Sequence, residues 1–445
     1  MNISISVIGG GSKLWALTLF KDLARAEGLS GSIRLYDIDA KAAEKNQKLA
    51  AAIFGHDKAM SVFKVECSDS PAKALEGSDI VVFTIEPGPI ELRYADLVIP
   101  EQYGILQTVG DTTGPGGIIR AARAIPTIRD YAKQIIKYCP DAWVINYTNP
   151  MTLCTAAFYK EEPKIKAFGC CHEVFGTQHF LAEKTAEWYG VEKPKRDEIK
   201  LDICGLNHFT FATTAHWNGN DLYPELLKLT ADEKTFADLT ETAKQRTKDE
   251  KWFDSDKIIA LDFLRNFGIL GAAGDRHLAE FIPWYLTSDE NIHRYGIMRT
   301  PYEWRVRNDR DKKNKAFKDD ELVPEQSDEE GVDIMKALIT GESLITNVNI
   351  PNIGQIPWLP EGHIVETNAV FGRGSVKPII AMEPPKAVKA IVSRIASIQE
   401  MVLDAVFAGD DDLLFQAFLS DPLMNIGVPQ AGELFNKMRE YIAKN

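Results

Sequence analysis

Ile3-Ser4-Ile5-Ser6-Val7-Ile8-Gly9-Gly10-Gly11-Ser12, with the apolar-periodic run Leu14 to Ala26 and then Ile33-Arg34-Leu35-Tyr36-Asp37, decides the fold. The first run predicts a buried strand and the second a helix, joined through glycines. The third predicts another strand, with an acid at its end. This is a βαβ unit. Glycines let the backbone approach a pyrophosphate, a helix N-terminus attracts its charge, and an acid accepts ribose hydroxyls. Gly9, Gly10, Gly11, Ser12 and Asp37 are therefore candidate dinucleotide contacts. The spacing departs from G-x-G-x-x-G, since Trp15 and its neighbours replace the third glycine region.

Outward from this unit the alternation continues. Helices are expected at Ala40 to Phe54 and Pro71 to Leu75, and strands at Val62 to Cys67 and Ile80 to Ile85. Glu86-Pro87-Gly88 closes the last of these, where a dinucleotide fold places its adenosine, so Glu86 joins the cofactor candidates. Gly110 to Gly117 is a polar glycine-rich loop, open to wrapping a cofactor or sugar or to serving as a surface turn, ahead of a helix from Ile118 to Tyr138. Strands at Ala142 to Tyr147 and Lys164 to Phe168 follow, then a helix from Gly176 to Tyr189. Beyond about residue 195 the alternation fades. Residues 196 to 220 read as antiparallel or mixed and Asn347 to Val370 as extended, with helices between and after. Ser255-Asp256 is expected to cap a helix that stops at Phe267-Gly268. Arg305 to Glu330 is charge-dense and reads as a solvated face or mobile helix.

The chemistry-bearing residues fall at predicted strand ends. Cys171-His172-Glu173 puts a thiol, an imidazole and a carboxylate in consecutive positions, and Asn207-His208 ends another strand-like run. Pro150 holds Asn149 extended at a third strand end. Gly271-Ala272-Ala273-Gly274 is a small-residue loop presenting Asp275, Arg276 and His277. Open α/β sheets bind ligands at such an edge.

Composition narrows the class. The chain has 445 residues, 45% of them apolar, and a formal charge of −13 without a basic run, which argues against nucleic acid as a partner. No apolar stretch approaches the roughly 20 residues of a membrane span. Six scattered cysteines form no disulfide framework, and Met1 to Ile5 reads as a strand, so a reduced, cytoplasmic protein is expected.

Together, Gly9 to Ser12, Gly114-Pro115-Gly116-Gly117, Thr148-Asn149-Pro150, Cys171-His172-Glu173-Val174 and Asn207-His208 resemble glycoside hydrolase family 4, the NAD- and Mn²⁺-dependent glycosidases. The resemblance implies an α/β fold. An N-terminal Rossmann-like NAD-binding domain, lactate/malate dehydrogenase-like, would occupy 1–195, and a mixed α+β substrate and oligomerisation domain 196–445. Within the family, Cys171-His172-Glu173-Val174 resembles the branch that cleaves unphosphorylated α-galacturonides; α-glucuronides, α-galactosides and α-glucosides are the alternatives. By the same resemblance, Cys171 and His208 ligate the metal. Asn149 and Glu173 contact the sugar, Asp275 is the base at C2, and His172 is the leaving-group acid, with Asp111 and Glu173 as substitutes. Arg276, helped by His277, would fork onto the 6-carboxylate. A small sugar partner and a homodimer or homotetramer are expected. A plain NAD-dependent hydroxyacid dehydrogenase would share the N-terminal half but needs a His–Asp pair and a carboxylate-binding Arg and no metal thiolate, and a nucleotide-sensing protein would leave Cys171, His208 and Asp275 unexplained.

Overall fold

A computed structural model describes residues 1–445. The strands are β1 (Asn2–Ile8), β2 (Ser30–Tyr36), β3 (Val62–Cys67), β4 (Ile80–Phe83), β5 (Trp143–Asn146), β6 (Lys166–Gly169), β7 (Ile199–Leu206), β8 (Phe209–Trp217), β9 (Asn220–Asp221), β10 (Leu270–Gly271), β11 (Leu344–Pro351), β12 (Ile364–Gly372) and β13 (Ser375–Pro378). All belong to one sheet, in the order β10-β8-β7-β12-β11-β6-β5-β4-β1-β2-β3, with β13 on β12 and β9 on β8. From β3 to β6 the pairing is parallel in the dinucleotide-binding order 3-2-1-4-5-6. The Rossmann-like half is as the βαβ pattern predicts. A single antiparallel pair, Asn349 with Gly169, joins β6 to β11, and every further neighbour is antiparallel.

Strands covered on both faces must be apolar throughout, and all four residues of β4, Ile80-Val81-Val82-Phe83, are buried. Alternation then sends Val81, Phe83, Val144 and Ala167 into one core, and Ile80, Val82, Ile145 and Phe168 into the other. Each core draws on both halves of the chain. Phe168 of β6 meets Phe371 of β12 edge-on, with ring centroids 5.4 Å apart.

Three local expectations change. Gly114 to Gly117 is no free loop: the helix begins at Gly114 and runs to Tyr138, with Pro115 in its first turn. A Cβ on Gly116 would lie 2.4 Å from the Asp96 carbonyl oxygen. The helix Ile258–Phe267 ends at the left-handed Gly268 as expected, but Ser255 and Asp256 do not cap it; the Asp275 carboxylate, distant in sequence, accepts from Ala260 N–H instead. Arg305 to Glu330 is no free face: a helix Tyr302–Asn314 and the segment after it lie against the dinucleotide half. Lys13 pairs with Asp309, Lys313 with Asp39 at 2.7 Å and Lys21 with Glu325 at 2.6 Å. No helix is long and apolar enough to cross a membrane, and all six cysteines are free.

Candidate active site

The first turn fits a dinucleotide. A Cβ on Gly9 would meet the Thr84 carbonyl oxygen at 1.7 Å, and φ there is +91°, a conformation open to glycine. Gly11 N–H donates to Asp37 Oδ2 at 2.8 Å, so a Cβ on Gly11 would strike that carboxylate. Asn46 Nδ2 donates to the carbonyls of Gly10 and Ser12, each at 2.8 Å, and fixes the loop from outside. Pattern reading passes over Asn46, an ordinary polar position in a helix. Glu86, offered for the adenosine side, forms an ion pair with the buried Arg120, whose Nε donates to Asn149 O at 3.0 Å. It braces the ends of two strands.

Across the sheet edge, Asp111, His208 and His277 bring their ligand atoms within 4.8 Å of one another. They come from three places: the loop before the long helix, the tight turn between β7 and β8, and the short helix Asp275–Leu278 that follows the small-residue loop after β10. His208 sits in that turn at φ +65°, unusual for a side-chain-bearing residue. Its ring lies 3.8 Å from that of His277, centroid to centroid. Thr112 Oγ1 lies 2.7 Å from Asp111 Oδ1 and 2.8 Å from His208 Nδ1. A hydroxyl has one proton. If Thr112 donates it to Asp111, His208 must donate from Nδ1, which leaves Nε2 as a bare lone pair. Burial, and His277 beside it, press the His208 pKa down to about 3, so the imidazole stays neutral. Burial works against ionising Asp111, yet His277 and nearby arginines outweigh it and hold the carboxyl well below its usual range. Two neutral-capable imidazoles and a carboxylate with open positions suit a divalent transition ion.

On His277 and on the residues next to His208 and His277, buried polar atoms lack partners: both amide atoms of Asn207, His277 Nδ1 and Arg276 Nε; Asn149 Oδ1, after β5, lacks one too. Native interiors leave few such groups unsatisfied, so a concentration of them points to a polar ligand. Cys171 lies buried at the end of β6. Burial, then the Glu366 and Glu173 carboxylates, push its thiol up, a balance that a neighbouring cation reverses. Its ligand atom is not part of the close three-residue group. Glu173 accepts from Gly274 N–H at 2.8 Å and lies 3.6 Å from His277 Nε2. Burial opposes its ionisation, but the surrounding imidazoles hold its pKa at about 2. His172 is exposed and pairs with Glu329 at 3.1 Å, facing the charged segment. The Asp275 oxygens accept from Ser255 Oγ at 2.9 Å and Ala260 N–H at 3.1 Å. That is first of all a helix cap. Burial nevertheless raises its pKa, against the pull of Lys257. Lys257 itself, buried beside Asp275 and Glu173, carried no sequence signal.

A glycine turn shaped to a pyrophosphate and a part-buried metal-capable group occur together on a sheet of Rossmann-type strand order. Residues 4–187 match the profile of the family 4 glycosyl hydrolases, and residues 203–424 match that of their C-terminal domain. The chain belongs to family 4 of the glycosyl hydrolases. It is a glycosidase on an NAD-binding Rossmann-type fold. A Thermoanaerobacter italicus protein named alpha-galacturonidase is 43% identical over 453 residues, covering 99% of this chain and 97% of its own. A Bacillus subtilis crystal structure, described as a glucosidase, superposes with a TM-score of 0.90 at 40% identity, covering 98% of this chain and 100% of its own. The Thermotoga maritima 6-phospho-beta glucosidase, solved with manganese, NAD⁺ and glucose-6-phosphate, gives 0.75 at 21% identity, covering 100% and 99%. At that identity the likeness is one of fold.

Proposed function

We propose that this glycosidase hydrolyses unphosphorylated α-galacturonides in the cytoplasm, by oxidation at C3, deprotonation at C2, elimination of the C1 oxygen, addition of water with reprotonation at C2, and return of the hydride to C3, with no net redox change. NAD-dependent members of the family stand outside the two-carboxylate scheme of most glycosidases. The observation that carries the reading is that the end of β6, the last strand of the dinucleotide half, meets the metal-capable group: Glu173 lies 3.6 Å from His277, which with Asp111 and His208 forms that group. The 43% identical alpha-galacturonidase supports the substrate.

NAD⁺ supplies a reversible hydride acceptor for C3, and a divalent metal such as Mn²⁺ a Lewis acid for the oxygens at C2 and C3. His208, with Asp111 and His277, would hold the metal, and the Cys171 thiolate would join them as a further ligand. Thr112 sets the His208 tautomer. Asn149 and Glu173 orient sugar hydroxyls. Asp275 removes the C2 proton, its raised pKa making it a stronger base than an exposed carboxylate. His172, exposed beside Glu329, protonates the departing oxygen, and Arg276 takes the 6-carboxylate.

Hydrolysis of an α-galacturonide in D₂O should place deuterium at C2 of the released sugar. Protein stripped of NAD⁺ should be inactive until the cofactor is restored. Full activity in the stripped protein, with no deuterium at C2, overturns the mechanism.

A further inference from the structure

Two guanidinium groups converge on one backbone carbonyl beside the site. Arg276 Nη2 donates to Thr108 O at 3.0 Å and to Thr300 Oγ1 at 2.7 Å. Arg305 Nη2, from the helix Tyr302–Asn314, reaches the same Thr108 O at 3.4 Å. The Nε of each is buried and has no partner. Neither forms an ion pair; their hydrogen bonds go to a carbonyl and a hydroxyl.

The acids nearby are engaged elsewhere. Glu280 accepts from Val109 N–H at 2.6 Å, Gly110 N–H at 3.0 Å and the Thr108 hydroxyl at 3.1 Å, and so holds the loop in place. Asp96 is taken by Arg93 and Arg123. Asp111, three residues along the same loop, belongs to the metal-capable group. Both guanidiniums bond the Thr108 carbonyl three residues before Asp111, and the Asp111 carboxylate acts on each of them, so the two cations lie beside the metal-capable group. Burial, then repulsion from Arg93 and Arg276, bring the Arg305 pKa down to about 9, as befits a cation without its anion. Desolvated guanidiniums with open donors are built to receive a planar anion bidentately.

We propose that Arg305 completes, with Arg276, a two-guanidinium receptor for the 6-carboxylate of the sugar, and so sets the enzyme's preference for uronides. The assignment rests on the galacturonide reading above and adds a residue from the charged helix. That helix is also tied to the cofactor loop, through Lys13–Asp309 and Lys313–Asp39.

The test compares the NAD⁺- and Mn²⁺-loaded wild type, Arg305→Met and Arg305→Lys on three p-nitrophenyl glycosides: α-galacturonide, α-galactoside and α-galactoside 6-phosphate. A charge-assisted fork lost from a desolvated site should lower kcat/KM for the galacturonide by about 30-fold, mostly through KM, while the galactoside changes by less than about threefold. Arg305→Lys should retain charge but not the fork, and fall between. If Arg305→Met does not melt like wild type, Arg305→Lys carries the comparison. A loss of about fivefold or more confined to the galacturonide then supports the receptor. Equal losses on galacturonide and galactoside overturn the Arg305 assignment and leave the galacturonide reading standing. A wild type that prefers the 6-phosphate, or leaves the galacturonide intact, overturns the substrate reading, and the receptor with it.

Discussion

Thr112 is the small residue on which the metal-capable group turns. Its hydroxyl bridges Asp111 and His208 and fixes which imidazole nitrogen is bare. Thr112→Val keeps the shape and removes the bridge. We expect Mn²⁺ affinity, followed by electron paramagnetic resonance titration, to fall about 10–100-fold, the usual cost of losing an outer-shell partner. His208→Ala and His277→Ala should fall further, since each removes a ligand. Asp275 separates two roles in one experiment. Asp275→Asn turns an NH₂ towards Ser255 or Ala260, which should lower stability by about 1–2 kcal/mol. As the base, it should also abolish C2 deuterium incorporation. Deuterium retained in a protein that melts lower would make Asp275 a cap alone. The strand-end residues Cys171 and His208 were legible because apolar runs announce strand ends. The cap was not, because its partners Ser255 and Ala260 lie 20 and 15 residues away.

At the scale of elements, the charged segment is fastened to the first helix, Trp15–Arg25, by Asp22. Its carboxylate accepts from Ser327 N–H and Ser327 Oγ, both at 2.6 Å. Burial raises the Asp22 pKa to about 6, although both hydrogen bonds oppose the rise. A carboxyl whose pKa is higher folded than unfolded binds more protons in the native state between about pH 4 and pH 6. Its contribution is therefore fully present below about pH 4 and is lost as pH rises through 6. The stability difference between wild type and Asp22→Asn should shift against the wild type over that window in denaturant titrations. A difference that stays flat would mean that Asp22 titrates normally. The long helix offers a second check. Gly116→Ala drives a Cβ to 2.4 Å from Asp96 O, so the first turn must move, and with it the loop carrying Asp111. A loss of about 1–3 kcal/mol is expected, read as a lower melting temperature.

Across the whole molecule, the hydrophobic cores follow the faces of the sheet and not the order of the chain. One core joins Ile118, Ile125 and Ile128 to Val388, Val392 and Ile395; the other joins Ile145 and Phe168 to Val348, Ile350 and Phe371. Cutting the chain at residue 195 would expose both cores at once. A separately expressed fragment 1–195 should lack a cooperative thermal transition, while the full chain melts in one step. A sharp transition in the fragment would show instead that the dinucleotide half folds alone.

Short-range physics is what the sequence determined by itself. Apolar runs of four to eight residues, glycines at the first turn and an acid at Asp37 specify the βαβ units, since each signal lies within one element and its turn. The thiol, imidazole and amide at the strand ends were visible for the same reason. Tertiary structure alone decided how these ends meet. Thr112 reaches His208 because the β7–β8 turn lands opposite the loop before the long helix, 96 residues away in sequence. Arg305 reaches Thr108 across 197 residues because its helix packs against the helix Arg93–Glu101, which leads into the Thr108 loop. Such meetings depend on strand order and on the single Asn349–Gly169 pair that joins the two halves of the sheet, and no local periodicity encodes either.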